Sequence, residues 1–179
     1  MKPKILLHVC CAPCSTQSIE ELKKDYDVTL FFYNPNIHPK EEYEKRLNEA
    51  KKISKILGLP LIEGEYDKDA WLEAVKGFEN EPENGKRCAI CYEFRLKKSS
   101  EKAKDFDFFT TTLTISPHKN SEVINEIGSK INHKFLKKNF KKKDGFRKSI
   151  ELSKKHNLYR QDYCGCIYSL KSSIASPKE

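Results

Sequence analysis

The chain has no apolar run approaching the roughly 20 residues that span a bilayer, and its opening, MKPKILLHVCCAPCS, has too short an apolar stretch for a secretory leader. A membrane-spanning or exported protein is therefore not expected, and the cytoplasm is the expected location. Glycine is scarce, with seven in 179 residues, and none follows the first apolar run. That argues against the glycine-rich loop with which many α/β proteins cradle a pyrophosphate. Internal repeats and low-complexity linkers are absent too, which leaves no internal boundary and predicts one domain over residues 1–179.

Cysteine is what the chain does have. Seven thiols fall into three groups: Cys10, Cys11 and Cys14; Cys88 and Cys91; Cys164 and Cys166. Cytoplasmic thiols are kept reduced and an odd count leaves one over, so a disulfide framework explains them poorly. Closely spaced thiolates let a few residues present several soft ligands to one metal. Two readings compete. In the first, Cys88, Cys91, Cys164 and Cys166 form a tetrahedral zinc site tying the C-terminal tail to the body, which leaves the first group unexplained. In the second the three groups converge on an iron–sulfur cubane, which takes four protein ligands and leaves two or three sulfurs for a second metal or redox use.

Hydrophobic periodicity alternates between strand and helix. KILLHV (4–9) reads as a buried strand, followed by a helix with Pro13 near its start; VTLFFYN (28–34) is a second strand, followed by a long helix closed by Gly58. A third strand at LPLIEGE precedes a helix with Asp67 or Asp69 as cap and Trp71, Val75 and Phe78 on one side. The loop ENEPENGKRCAIC then opens into the helix CYEFRLKKSSEKAKDF, which puts the second thiol pair at the junction. DFFTTTLTISP is a fourth strand, KNSEVINEIGSKIN a helix, HKFLKK a short fifth strand, and DGFRKSIELSKKHN a helix; LYRQDYCGCIYSL turns around Gly165 before a last short helix. The predicted class is α/β, a three-layer, mostly parallel sheet, with a Cys-containing helical extension over 144–179 closing the metal site. Ligands bind such sheets outside the carboxyl ends of the strands, where HVCC and YNPN fall.

The net charge is +8, and basic residues concentrate at Lys137, Lys138, Lys141, Lys142, Lys143, Arg147 and Lys148. This favours a polyanionic partner such as RNA, with Phe140 or Phe146 stacking on a base; a solvated helix entry, or the general lysine enrichment of thermophiles, is the plainer explanation. In SPHKN (116–120), Ser116 and nearby amides would suit a phosphate or ribose, although capping by Ser116 or Asn120 explains the same residues. His8, within the first strand, reads as a hydrogen-bonded buried imidazole.

HVCCAPCS, FFYNPNIHP, RCAICYEFRL, TTLTISPHKN and LYRQDYCGCIYSL together resemble, over nearly the whole chain, the cobalamin-independent epoxyqueuosine reductase family, QueH. The resemblance implies reduction of the epoxide of epoxyqueuosine to the alkene of queuosine at the wobble position of tRNA. It also implies an iron–sulfur centre and an adenine-nucleotide-hydrolase-like (HUP) architecture that uses no ATP. The expected cofactor is a [4Fe–4S] cluster, with room for a second mononuclear iron or a zinc in its place. The expected partners are tRNA carrying epoxyqueuosine and a low-potential electron donor. Cys10, Cys11, Cys88, Cys91, Cys164 and Cys166 are the expected ligands, with Cys14 past the proline a further one. Asp162 is an oxygen ligand or a turn cap. Tyr33 and His38, in the loop after the second strand, are candidate proton donors or loop packing. Two other classes stay open: an ATP-dependent tRNA-modifying enzyme of the same fold, such as a sulfur transferase, and a zinc-stabilised RNA-binding module.

Overall fold

The computed structural model describes residues 1–170. Strand β1 (Lys4–Val9) is buried from Ile5 onward, and β2 (Asp27–Phe32) runs parallel to it in a register that pairs Ile5 with Val28 and Val9 with Phe32. The short β3 (Leu61–Glu63) adds outside β2, and β4 (Phe108–Thr111) adds on the other side of β1. All four strands are parallel, in the order β3-β2-β1-β4. This is the α/β class expected.

Side-chain alternation in the strands builds two cores, one on each face. Ile5, Leu7, Val9, Val28, Leu30 and Phe32 point to one face, where they meet Ile19 and Leu22 of α1 (Ala12–Leu22) and Tyr43 and Ala50 of α2 (Lys40–Leu57). Leu6 and Phe31 point to the other and meet Tyr92 and Leu96 of α4 (Lys86–Lys102) and Ile124 of α5 (Ser121–Ile131). The short α3 (Lys68–Ala74) precedes α4 in the chain and contributes Trp71 to a smaller cluster with Val75, Cys91 and Cys166. The last named helix, α6 (Gly145–Lys155), packs on α1. Helices on both faces make three layers, compatible with the HUP expectation.

Local signals act as their chemistry requires. Pro13 occupies the first turn of α1, and Gly58 ends α2 in the left-handed region at φ 64°. Asp67 stands at the N-cap of α3, but its side chain makes no capping bond. Asn120 does cap α5, its Oδ1 accepting from the amides of Glu122 and Val123.

Three expectations need correction. HKFLKK is not a fifth strand: Phe135 forms one isolated bridge to Phe109, and Thr110 Oγ1 donates to the Leu136 carbonyl, so a side chain takes the acceptor that a further ladder bond would need. The fourth strand stops at Thr111 and tightens into a 3-10 turn over Thr112–Ile115, because Thr111 Oγ1 accepts from the Leu113 amide. Phe140 is no base-stacking platform, since it lies in the α1-side core at 1% exposure. Residues 167–170 are helical, at the position expected for the last short helix; residues 171–179 lie outside the described residues.

Candidate metal centre

β1 pairs with β2 on one side and β4 on the other, so the order in which strands are added reverses beside it, the topological switch point at which such sheets form a crevice at the carboxyl ends of the strands. Cys10 follows β1 and Thr112 follows β4, and they close on each other across this crevice. The Cys10 amide donates to Thr112 Oγ1 at 3.1 Å, and the same hydroxyl lies 3.3 Å from Cys10 Sγ. Cys11 is the N-cap of α1, and Cys14 falls in its first turn, which curls back over Cys11. The Cys10 and Cys11 sulfurs are 3.9 Å apart, and the three sulfurs all lie within 4.8 Å of one another. Among the described residues they are the set whose geometry could hold a metal ion. Cys14 is thus gathered with the other two despite the intervening proline.

Three sulfurs this close cannot ionise together. Hydrogen bonds from Cys11 and Cys14 hold the Cys10 thiol well below its usual value, while the bond to Cys10 pushes Cys11 up to about 12 and Cys14 is also raised well above normal. Of the three, Cys10 is therefore the readiest to give up its proton, and Cys11 and Cys14 hold on to theirs.

The second group is carried by α4. Its first turn contains Cys88, whose sulfur accepts from the Asn84 amide at 3.3 Å, and Cys91 follows on the same helix face. The helix begins at Lys86, five residues before the expected start at Cys91, so both thiols lie on it. Cys91 shares an apolar cluster with Cys166, and Cys88 lies close enough to Cys164 and Cys91 for their charges to interact. Burial raises Cys88, and it pushes Cys166 up to about 11. The second and third thiol groups are therefore neighbours.

The tail carrying Cys164 and Cys166 is clamped onto α2. Arg46, 3% exposed, bonds Glu42 Oε1 through Nε at 2.6 Å and donates from Nη1 to the Cys164 carbonyl at 3.0 Å and from Nη2 to the Tyr163 carbonyl at 3.3 Å. Tyr159 donates its hydroxyl to the same Glu42, the Tyr163 hydroxyl donates to the His38 carbonyl, and the His38 amide donates to the Gly165 carbonyl at 2.7 Å. Gly165 has φ 114°, and a Cβ there would stand 2.9 Å from Arg46 Nη1 and 3.1 Å from Ile37. Gly165→Ala is accordingly expected to displace the turn between the two cysteines. We expect a loss of about 1–3 kcal/mol from the strained backbone and lower metal content, read by thermal unfolding and elemental analysis.

Two cations face the sulfurs, and neither was marked by the sequence patterns above. Arg95, 2% exposed, lies one turn after Cys91 on α4; its Nη1 is 3.8 Å from Cys91 Sγ and its Nη2 donates to Asn34 Oδ1 at 2.7 Å. Asn34 in turn donates to the Val9 carbonyl, immediately before Cys10. Burial alone would lower the Arg95 pKa, but the thiols of Cys91, Cys10 and Cys164 outweigh it and the net shift is upward. Lys119 behaves likewise: burial would push it down, but Cys164, Tyr92, Cys10 and Cys14 carry it up. Arg95 and Lys119 each answer to sulfurs of the first and third groups, and Arg95 to the second as well. Gln161 joins the tail to the first group, its Nε2 donating to Cys11 Sγ at 3.0 Å.

His8 is the buried, bonded imidazole expected. Its Nε2–H donates to the Tyr33 carbonyl at 3.0 Å, leaving Nδ1 to accept from the Thr111 hydroxyl at 2.8 Å, and burial lowers its pKa to about 3. Tyr33 is buried, stacked against Phe31 and near-parallel to Phe94, and burial raises its pKa. His38 donates from Nδ1 to the Asn36 carbonyl at 2.9 Å; its Nε2 is buried without a hydrogen-bond partner, and its ring lies 5.7 Å from that of Trp71. Asp162 is exposed beside Tyr159 and Tyr163. Of the basic segment, Lys138 bonds Glu21, Lys141 bonds the Lys119 carbonyl and Arg147 pairs with Asp144, while Lys137, Lys142, Lys143 and Lys148 are exposed. Phe146 faces the Arg160 guanidinium at 5.9 Å.

A parallel α/β sheet with a sulfur triad at its topological switch point, flanked by cations that pair with no carboxylate among the described residues, defines an α/β protein with a thiol site able to bind a metal. Comparison with known proteins narrows the class. The family model for epoxyqueuosine reductase QueH matches residues 5–172. Proteins named epoxyqueuosine reductase QueH from Streptococcus pyogenes and Haemophilus influenzae are each 42% identical to this chain, covering 96% and 95% of it and 72% and 73% of their own lengths. One from Thermotoga maritima is 39% identical over 93% of this chain and 90% of its own. The chain belongs to the epoxyqueuosine reductase QueH family, a family of oxidoreductases. Among the described residues no helix is long and apolar enough to cross a membrane.

Proposed function

We propose that this protein reduces the epoxide of epoxyqueuosine to the alkene of queuosine at the wobble position of tRNA. A [4Fe–4S] cluster, and beside it a single iron or zinc, would be held by Cys10, Cys11, Cys14, Cys88, Cys91, Cys164 and Cys166, with Asp162 as oxygen ligand. What supports this reading is the sulfur triad together with Arg95, whose guanidinium lies 3.8 Å from Cys91 Sγ, in a cluster shared with Cys166, and reaches through Asn34 to the Val9 carbonyl just before Cys10.

The donor chemistry fits such a group. Soft sulfur ligands select zinc or iron–sulfur centres, and a buried guanidinium and a half-buried ammonium, neither paired with a carboxylate among the described residues, offset part of the charge of several thiolates. The buried Arg95 Nε has no hydrogen-bond partner among the described residues, leaving a donor available. Such a cluster supplies single electrons at low potential, and an iron with an open position polarises an oxygen.

The chain's own residues do the rest. Removing the epoxide oxygen takes two electrons and two protons, and no side chain is a good one-electron carrier, which is why a cofactor is needed. Thr112 and Gln161 orient Cys10 and Cys11 by hydrogen bonds. His38, fixed at Nδ1 and unpartnered at Nε2, is the better suited of the two proton-donor candidates; Tyr33, held protonated by burial, offers a hydrogen bond. The seven cysteines are free, in keeping with a reduced, cytoplasmic setting.

Anaerobically reconstituted protein, incubated with epoxyqueuosine-containing tRNA and a low-potential reductant, should yield queuosine by nucleoside mass analysis. Product that depends on ATP would favour a transferase of the same fold. A colourless protein with stoichiometric zinc, no sulfide and no product would favour an RNA-binding module. The tRNA backbone is assigned to the basic segment, where Lys137, Lys142 and Lys148 have exposed side chains. Reversing these three charges to Glu should weaken tRNA binding by about tenfold or more at low salt and flatten its salt dependence, as measured by filter binding.

A further inference from the structure

Lys119 ends the loop between the 3-10 turn and α5. Its amide donates to the Ser116 carbonyl at 3.3 Å, and its carbonyl accepts from Lys141 Nζ at 2.6 Å, so its backbone is held from both sides. Among the described residues its ammonium makes no hydrogen bond and pairs with no carboxylate; the groups it answers to are the sulfurs of Cys164, Cys10 and Cys14 and the Tyr92 hydroxyl. Lys119 also forms part of the wall of an open cavity of about 460 Å³, together with Asn84, His118, Asn120, Lys141 and one carboxylate, Glu122. The amides at the start of α5 are not available to a ligand there, because the Asn120 side chain already bonds those of Glu122 and Val123. Asn84, on the same wall, donates its amide to Cys88 Sγ at 3.3 Å, so the cavity borders the thiols, and Lys119 lines this solvent-open space with its polar walls.

We propose that this cavity admits the modified nucleotide and that Lys119 is the residue that holds its epoxide oxygen against the thiol centre; the inference rests on the reductase reading above. An epoxide oxygen offers lone pairs to a donor and gains negative charge as each C–O bond breaks, so a fixed ammonium binds it more tightly in the transition state than in the substrate. The overall step breaks both C–O bonds, forms the C=C bond, takes two electrons from the external low-potential reductant and two protons from solvent, and releases the oxygen as water. Lys119 keeps its own proton throughout and acts by charge and hydrogen bonding. Amide, imidazole and ammonium groups on the wall suit an oxygen-rich nucleoside rather than an apolar ligand.

The competing role for Lys119 is as a counter-charge for thiolates only. Full-length, metal-reconstituted wild type, Lys119→Met and Lys119→Arg should be compared for iron and sulfide content, thermal midpoint, tRNA affinity, kcat and KM with epoxyqueuosine-containing tRNA. We expect Lys119→Met to keep its tRNA affinity and most of its iron and sulfide while kcat per bound cluster falls roughly a hundredfold or more, with Lys119→Arg recovering part of it. Wild-type kcat in Lys119→Met, or iron lost in step with activity, overturns the assignment while leaving the reductase reading intact. A reconstituted wild type that makes no queuosine overturns that reading, and this assignment with it.

Discussion

Replacing Arg46 with leucine is expected to release residues 159–166 from α2 and strip the third thiol group from the centre. Arg46 is 3% exposed and its Glu42 partner's side chain 11%, so the substitution leaves a mostly buried carboxylate with only the Tyr159 hydroxyl. The Cys164 and Tyr163 carbonyls lose their donors in the same change, and the Tyr163 ring loses the guanidinium 5.1 Å from its centroid. Removing one partner of a buried ion pair costs about 3–5 kcal/mol. Thermal unfolding should show that loss, and alkylation should label Cys164 faster than in wild type. Arg46→Lys keeps the charge but cannot fork to two carbonyls and Glu42 together, and should fall between. Wild-type metal content in Arg46→Leu would mean that the tail holds its place by other contacts.

Much of this arrangement was legible in the sequence because its signals are local. The apolar run before Cys10, Pro13 in the first helical turn and the glycine closing α2 each impose one conformation whatever surrounds them, and the elements they predict are present. The thiol groups were visible as spacing. The neighbourhood of the second and third groups depends on Arg46 reaching carbonyls more than a hundred positions away, and such a contact leaves no periodic trace in the chain.

What the sequence hid were the charges. Lys and Arg total 34, and nothing in composition separates the two that face sulfur from those that face water. Arg95 had a readable sign, its position four residues after Cys91 on one helix face. Lys119 had none: SPHKN drew attention to Ser116 and Asn120, and Asn120 proved to be a helix cap. Phe140 misled for the opposite reason. It is an aromatic inside a basic run, but the run folds back over α1 and buries it in the core.

Replacing Arg95 with methionine should separate the metal-free and metal-loaded proteins. Without metal the buried guanidinium has at most the readily ionised Cys10 to balance it; it bonds Asn34, and its desolvation costs several kcal/mol. Methionine removes that penalty and at the same time leaves the Asn34 carbonyl oxygen without its donor, a loss of about 1–3 kcal/mol. The two terms oppose each other, so the thermal midpoint of metal-free protein should move little. Once metal converts the thiols to thiolates, the sign changes, because Cys91 at 3.8 Å and the nearby Cys10 and Cys164 then lose the positive charge that balances them. Outer partners of this kind are worth about 10- to 100-fold in metal affinity. Competition titration against a chelator should find that loss for Arg95→Met, and reconstituted protein should hold less iron. An equal drop in stability with and without metal would instead assign Arg95 to packing between α4 and the strand ends, because only a counter-charge distinguishes thiol from thiolate.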